Sequence, residues 1–306
     1  MAHYRILSLD GGGIRGVLTA TLLQRLEEAS PGFLSQVDLF AGTSTGGILA
    51  LGLAAGLTPT ECRRLYVTEG GFIFFNSTAR AVLELGNLGG PKYDNDNLRR
   101  ALLDEFADVT LADLPRKVLI SSFAVDNHPA NPAAWRTWKP KFFHNYPGPE
   151  SDGAQRVVDV ALRTSAAPTY FPMYQEFVDG GVSANNPSMC ALAQALNAPT
   201  GGQKLDDIRL LSVGTGQRSQ YLTVRDVNWG VVEWAPHLVN LLMEGSNGLG
   251  DYQCRQVLGA NYFRLNPVLP EAIGLDAVGR VAELETIAAD AELDAAIEWL
   301  RNTFLG

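Results

Sequence analysis

An α/β fold, with helices on the faces of a mainly parallel sheet, follows from three features of this 306-residue sequence. Strand, glycine-rich turn and helix follow one another twice within residues 1–55. Short, near-continuous apolar runs recur and end in Gly or Asp, as strands buried on both faces do. Between them the apolar residues fall at helical spacing, the alternation that builds parallel sheets with crossover helices.

Taken in order, Tyr4 to Leu9 reads as the first strand, closed by Asp10 and three glycines. From Val17 to Glu28, Leu18, Leu22, Leu23 and Leu26 share one helical face. Val37 to Ala41 is the second strand, and Gly42-Thr43-Ser44-Thr45-Gly46 turns from it into a small-residue helix, Gly47 to Ala55. Thr58-Pro59-Thr60-Glu61 carries an N-cap residue, a proline and an early acid, so a helix starts there, and helix prevails to about Leu114. Lys117 to Val125 reads as a strand. His128 to Gly153 holds Pro129, Pro132, Pro140, Pro147 and Pro149 and reads as a loop. Ala154 to Ser165 is expected to be helical, and Glu176 to Val178 to be a short strand running into Asp179-Gly180-Gly181. Asn185-Asn186-Pro187 places a cap and an N1 proline before a helix from Ser188 to Leu196. Ile208 to Val213 is another apolar strand, closed by Gly214-Thr215-Gly216. The remainder, 217–306, reads as mostly helical and ends in an amphipathic helix from Ala288 to Phe304. No break in composition marks a boundary, so residues 1–306 are expected to form one domain.

Charge and composition exclude several classes. The net charge is −9, which argues against general nucleic-acid binding and against tight electrostatic attachment to anionic lipid. With 46% hydrophobic and 19% charged residues, the chain is neither disordered nor collagen-like. No apolar run approaches the ~20 residues that span a bilayer. Ile6-Leu7-Ser8-Leu9 is too short for a signal-peptide core, so a cytoplasmic location is expected. Cys62, Cys190 and Cys254 are odd in number, widely spaced and form no metal pattern; they read as reduced, mostly buried thiols.

Three segments carry chemistry. Gly42-Thr43-Ser44-Thr45-Gly46 fits G-x-S-x-G between a strand and a helix. Its glycines permit a tight turn that holds the hydroxyl clear of the sheet, and the following helix aims free N–H groups at the same spot. A plain small-residue turn is the competing reading of the pentapeptide alone. Asp10-Gly11-Gly12-Gly13-Ile14-Arg15-Gly16 also matches G-x-G-x-x-G, but no acid ends a second strand and no Gly-Lys-Ser/Thr follows. Consecutive glycines can instead gather backbone N–H groups on one oxygen. Arg15 beside them offers either charge for a phosphate or carboxylate, or a surface salt bridge. The only histidines are His3, His128, His144 and His237, and none follows a strand with a glycine turn. Asp179 does, and a carboxylate raised in pKa by burial can take a serine proton directly; a turn aspartate is the alternative. Asp94, Asp96 and Asn97 lack the glycine and glutamate of a calcium loop and read as a solvated turn or helix start, so neither metal nor cofactor is expected.

Together and in this order, the three segments resemble the patatin-like phospholipases. Lys92-Tyr93-Asp94, the run Thr164 to Pro172, Asn185-Asn186-Pro187 and Leu211 to Gly216 are similar as well, so the likeness covers roughly residues 4–216 at the level of motifs. Asn261 to Leu265 has the same look, while the rest of 217–306 is less diagnostic. The third motif is Asp-Gly-Gly where plant storage members have Asp-Gly-Ala. The resemblance implies a three-layer α/β/α sandwich and a Ser–Asp dyad without histidine. Ser44 would be the nucleophile and Asp179 the general base. The amides of Gly11, Gly12 and Gly13 would form the oxyanion hole, and Arg15 would hold an anionic head group or support the hole. The implied activity is lipid acyl hydrolysis, releasing fatty acid from phospholipids or related glycerolipids through an acyl-serine, with transient contact at the inner membrane surface. A soluble carboxylesterase or thioesterase, a non-enzymatic storage or binding protein, and a membrane-damaging effector switched on by a nucleotide second messenger are the alternatives. For the apolar approach, Gly70 to Phe75, Phe142-Phe143, and Trp135 with Trp138 are candidates; simple core packing is the competing reading of the first.

Overall fold

The computed structural model describes residues 3–74, 90–129, 131, 133–218 and 228–306. Strands β1 (Tyr4–Leu9), β2 (Leu39–Thr43), β3 (Lys117–Ala124), β4 (Lys139–His144), β5 (Phe177–Asp179), β6 (Ile208–Val213) and β8 (Tyr262–Leu265) form one sheet. The order β4-β3-β2-β1-β6-β8 is parallel from β3 to β8 and antiparallel only at β4. A two-stranded parallel ribbon, β7 (Gln217–Arg218) and β9 (Val268–Leu269), lies apart.

The strands are apolar on both faces because both faces are covered. On one side Leu7, Leu9, Phe40, Val118, Ile120, Leu211 and Val213 pack into the larger core. That core is closed by α1 (Gly16–Ala29), α2 (Thr45–Ala55), α3 (Pro59–Ile73), α4 (Asp96–Phe106), α5 (Val157–Ser165) and α9 (Val281–Asp290). The alternate residues Ile6, Leu39, Ala41, Leu119, Ile208 and Leu210 enter a second core with α7 (Ser188–Leu196) and the end of α8 (Val231–Leu258). The period of two along each strand therefore divides the protein into three layers, α/β/α.

One irregularity positions the site. β2 runs along β3 only as far as the pair Thr43–Ser121. From Ser122 onward the same edge of β3 takes antiparallel β5, with Ser122 opposite Asp179. Asp179 thus occupies the place along β3 immediately beyond the end of β2, where Ser44 leaves the sheet.

Two expectations differ from the structure. The proline-rich loop contains β4, which tolerates Pro140 because it is an edge strand with one free side. The helix expected over Ala288 to Phe304 is broken: α9 ends at Asp290, and α10 (Asp294–Trp299) begins after an extended Ala291 and continues as a π turn to Phe304. The described residues after 216 are mostly helical, as expected, and β8 among them extends the sheet beside β6.

Candidate active site

Ser44 stands between β2 and α2 with φ 54° and ψ −123°, a strained backbone for a residue with a side chain. Its flanking glycines are required by space. A Cβ on Gly42 would lie 2.1 Å from the Gly46 carbonyl oxygen, and one on Gly46 would lie 2.3 Å from that of Leu9. The Ser44 amide donates to Thr164 Oγ1 at 2.8 Å, and Thr164 donates to the Ser121 carbonyl, so the turn is tied to α5 and β3. The uncapped N-terminus of α2 begins at Thr45 and adds its positive dipole end at the hydroxyl.

Asp179 is buried, and burial lifts its carboxyl to about 6. The nearby Ser44 hydroxyl and the Gly181 amide, which donates to Asp179 Oδ1 at 2.7 Å, pull in the other direction. The backbone around it is held by Asp179 N–H on the Ala166 carbonyl and Gly180 N–H on the Thr164 carbonyl. A serine hydroxyl thus faces a carboxylate whose affinity for a proton is well above that of an ordinary aspartate.

The glycine loop after β1 packs against this pair. Gly11 does not serve as an oxyanion donor in this arrangement: its N–H donates to the Asn185 carbonyl at 3.1 Å. The N–H groups of Gly12 and Gly13 find no acceptor among the described residues, and both glycines border the same cavity as Ser44. Gly13 has φ 57°, and a Cβ there would lie 2.2 Å from the Leu275 carbonyl oxygen, which also accepts from Ile14 N–H at 2.8 Å. Of the three glycine amides, that of Gly11 is engaged within the protein, and those of Gly12 and Gly13 remain beside the cavity.

Arg15 was expected at an anionic head group or in support of the hole. It is 3% exposed and does not border the cavity; Nε donates to the Gly12 carbonyl and Nη1 to the Gly216 carbonyl, each at 3.3 Å. It clamps the glycine loop to the turn that follows β6. A buried ion pair supports the loop from its other end, with Arg264 of β8 bonding both Asp10 carboxylate oxygens and Ser212 Oγ. Burial penalises the Arg264 cation, but the Asp10 carboxylate beside it outweighs that and holds it firmly charged.

A cavity of about 290 Å³ opens from Ser44, Asp179, Gly12 and Gly13. Its walls are apolar: Ile48 of α2, Leu65, Tyr66 and Ile73 of α3, Leu98 of α4, Phe171, and Val239, Leu242 and Met243 of α8. Of the apolar segments singled out in the sequence, Gly70, Ile73 and Phe74 line this cavity, while Phe75 lies outside the described residues. Phe143 is buried in the larger core, and Trp135 and Trp138 are exposed away from the cavity lining. The histidines do not reach it. His237 stacks on Trp229, His128 pairs with Glu176, and neither His3 nor His144 borders the cavity. Asp94 accepts from the Asp96 amide at the start of α4. Among the described residues no group of three or more His, Cys, Asp or Glu could hold a metal, and no helix is long and apolar enough to cross a membrane.

The sequence assigns no site role to Thr164, Asn185, Thr215 or Arg264, although each lies in a motif stretch, nor to α8, whose cavity-lining residues carry no local signal.

A family model described as patatin-like phospholipase matches residues 7–192. The chain is 35% identical over 277 residues to a protein named cGAMP-activated phospholipase from Pseudomonas aeruginosa, covering 86% of this chain and 78% of that one. It is 30% identical over 335 residues to Protein teg of Priestia megaterium, covering 99% of this chain and 100% of that one. Among solved structures it resembles VipD from Legionella pneumophila with a TM-score of 0.43 at 13% identity, covering 94% of this chain and 67% of that one.

Proposed function

The chain belongs to the patatin-like phospholipase family, and from that premise we propose that it is a lipid acyl hydrolase working through Ser44 and Asp179. The observation that carries the reading is a serine on a strained turn and a buried carboxylate bordering the same end of an apolar cavity. The acyl chain lies in the cavity, and the ester carbonyl sits over Ser44. Asp179 takes the hydroxyl proton as the oxygen attacks the carbonyl carbon. The oxyanion that forms is met by the N–H groups of Gly12 and Gly13 and by the N-terminus of α2. Collapse expels the alcohol, a lysolipid, which leaves with the proton held on Asp179. Water then attacks the acyl-serine, Asp179 accepts its proton, and fatty acid departs as Ser44 is reprotonated.

The cavity favours a long acyl chain over the small acyl groups of a soluble esterase, and its volume is near the lower end of the ~300–1,000 Å³ usual for ligand sites. Lipid enters from a membrane surface, at the cytoplasmic face. The test is product analysis on phosphatidylcholine vesicles beside a short-chain nitrophenyl ester. Release of fatty acid and lysolipid supports the reading; turnover of the short ester alone replaces it with a soluble esterase. A nucleotide-activated effector with the same chemistry is the second reading, favoured by the name of the Pseudomonas aeruginosa relative, cGAMP-activated phospholipase. A rise in hydrolysis on adding cGAMP would select it.

A further inference from the structure

Asn185-Asn186-Pro187 reads in sequence as a helix start, yet Asn185 is fully buried and its contacts lie elsewhere. Its carbonyl accepts the Gly11 N–H at 3.1 Å, and its Nδ2 donates back to the Gly11 carbonyl at 3.3 Å. Both polar backbone groups of Gly11 are thereby engaged by one residue, with Thr215 Oγ1 also on that carbonyl at 3.0 Å. The fit allows nothing larger than glycine, because a Cβ on Gly11 would lie 2.2 Å from Asn185 Oδ1 and 3.4 Å from Ser44 Cβ. The same Oδ1 lies 3.0 Å from where a Cβ on Gly181 would stand, beside Asp179 Oδ1 at 3.1 Å. Asn185 therefore wedges between the glycine loop and the Asp179 turn, with Ser44 adjacent. The orientation of its amide is set by partners: turned over, it would place an oxygen on the Gly11 carbonyl. Asn185 is itself held from α8, where Ser246 Oγ accepts its N–H at 2.6 Å and Asn247 Oδ1 accepts from Nδ2 at 2.8 Å.

One cost stands out. Asn185 Oδ1 is buried without a hydrogen-bond donor, an arrangement that folded proteins rarely keep without use. The wedge supplies that use: it fixes Gly11 and leaves the next two amides, those of Gly12 and Gly13, without an acceptor among the described residues beside the cavity that Ser44 borders.

We propose that Asn185 is a positioning residue for the oxyanion-binding loop, held in place by Ser246 and Asn247 of α8. The proposal rests on the reading of Ser44 and the glycine amides given above. The experiment compares Asn185→Ala and Asn247→Ala with the parent enzyme on a nitrophenyl ester, recording kcat, KM and the pH profile. For Asn185→Ala the expected fall in kcat is about 10- to 100-fold, somewhat below the loss of a whole oxyanion donor. KM is expected to stay within about twofold, since only transition-state binding is touched. The acid limb, set by Asp179, is expected not to move. A general loosening of the site would raise KM and shift that limb as well, and that result would overturn the proposal, as would an unchanged kcat. If Asn185→Ala does not fold, Asn247→Ala decides: a several-fold loss of kcat alone supports the proposal, and parental kcat overturns it. Ser44→Ala in the same series separates the two ideas. An active Ser44→Ala means the underlying reading has failed, whereas an inactive one beside a fully active Asn185→Ala means only this proposal has.

Discussion

Replacing Asp179 by Asn should destroy activity and at the same time make the protein more stable. Burial holds the carboxyl at about 6 instead of the ordinary 3.8. At about 1.4 kcal/mol per pH unit, ionising it in the fold costs about 3 kcal/mol more than in the unfolded chain. The sign follows from proton binding. Between about pH 4 and 6 the folded state binds more protons than the unfolded one, so this contribution lowers stability as pH rises and is fully present above about 6. Asn has nearly the same shape, keeps an oxygen for the Gly181 amide and carries no charge. Urea unfolding at about pH 8 should therefore show Asp179→Asn more stable by up to about 3 kcal/mol, and at about pH 4 the gap should nearly close. The same variant should lose several powers of ten in ester hydrolysis, because an amide cannot accept the serine proton. A variant less stable than its parent at about pH 8, or a gap that does not shrink in acid, would refute the argument that buried charge makes this carboxylate a base.

The pH profile of kcat/KM should fall on the acid side with an apparent pKa near about 6, since Asp179 must be ionised to act; a limb near an ordinary aspartate would contradict it. Gly46→Ala should give little soluble protein, because its Cβ would meet the carbonyl oxygens of Leu9 and Asp10 at 2.3 and 2.5 Å, whereas Gly71→Ala, with nothing within 4 Å, should gain about 1 kcal/mol from helix propensity. Unfolding midpoints of the two variants check this. Arg15→Ala should reduce turnover of phospholipid and of an uncharged nitrophenyl ester alike, because the guanidinium braces two loops; a loss confined to phospholipid would return it to the head group.

What the sequence disclosed about the site was local. The turns that carry Ser44 and Asp179 were legible because glycines at fixed offsets from a strand end dictate a turn, whatever surrounds it. Which of the Gly11, Gly12 and Gly13 amides is engaged was not, because three adjacent glycines look alike and the residue that occupies Gly11 lies far along the chain at Asn185. The sequence left Arg15 open between an anionic head group and the hole, since its burial depends on the Gly216 turn, which only tertiary structure brings near. In the fold, the apolar runs of β1, β2, β3 and β6 gave themselves away by their composition. β4 was hidden by Pro140, tolerable only on an edge. β8 was hidden by its four-residue length and by Arg264, whose charge is neutralised by Asp10 across the sheet.

The most direct test of the account is fatty acid and lysolipid release from phosphatidylcholine vesicles by the parent protein and by Ser44→Ala, with the fold of both verified by unfolding. The account predicts release by the parent and none above background by the variant, whose lost hydroxyl removes little packing. Equal release by both proteins would contradict it.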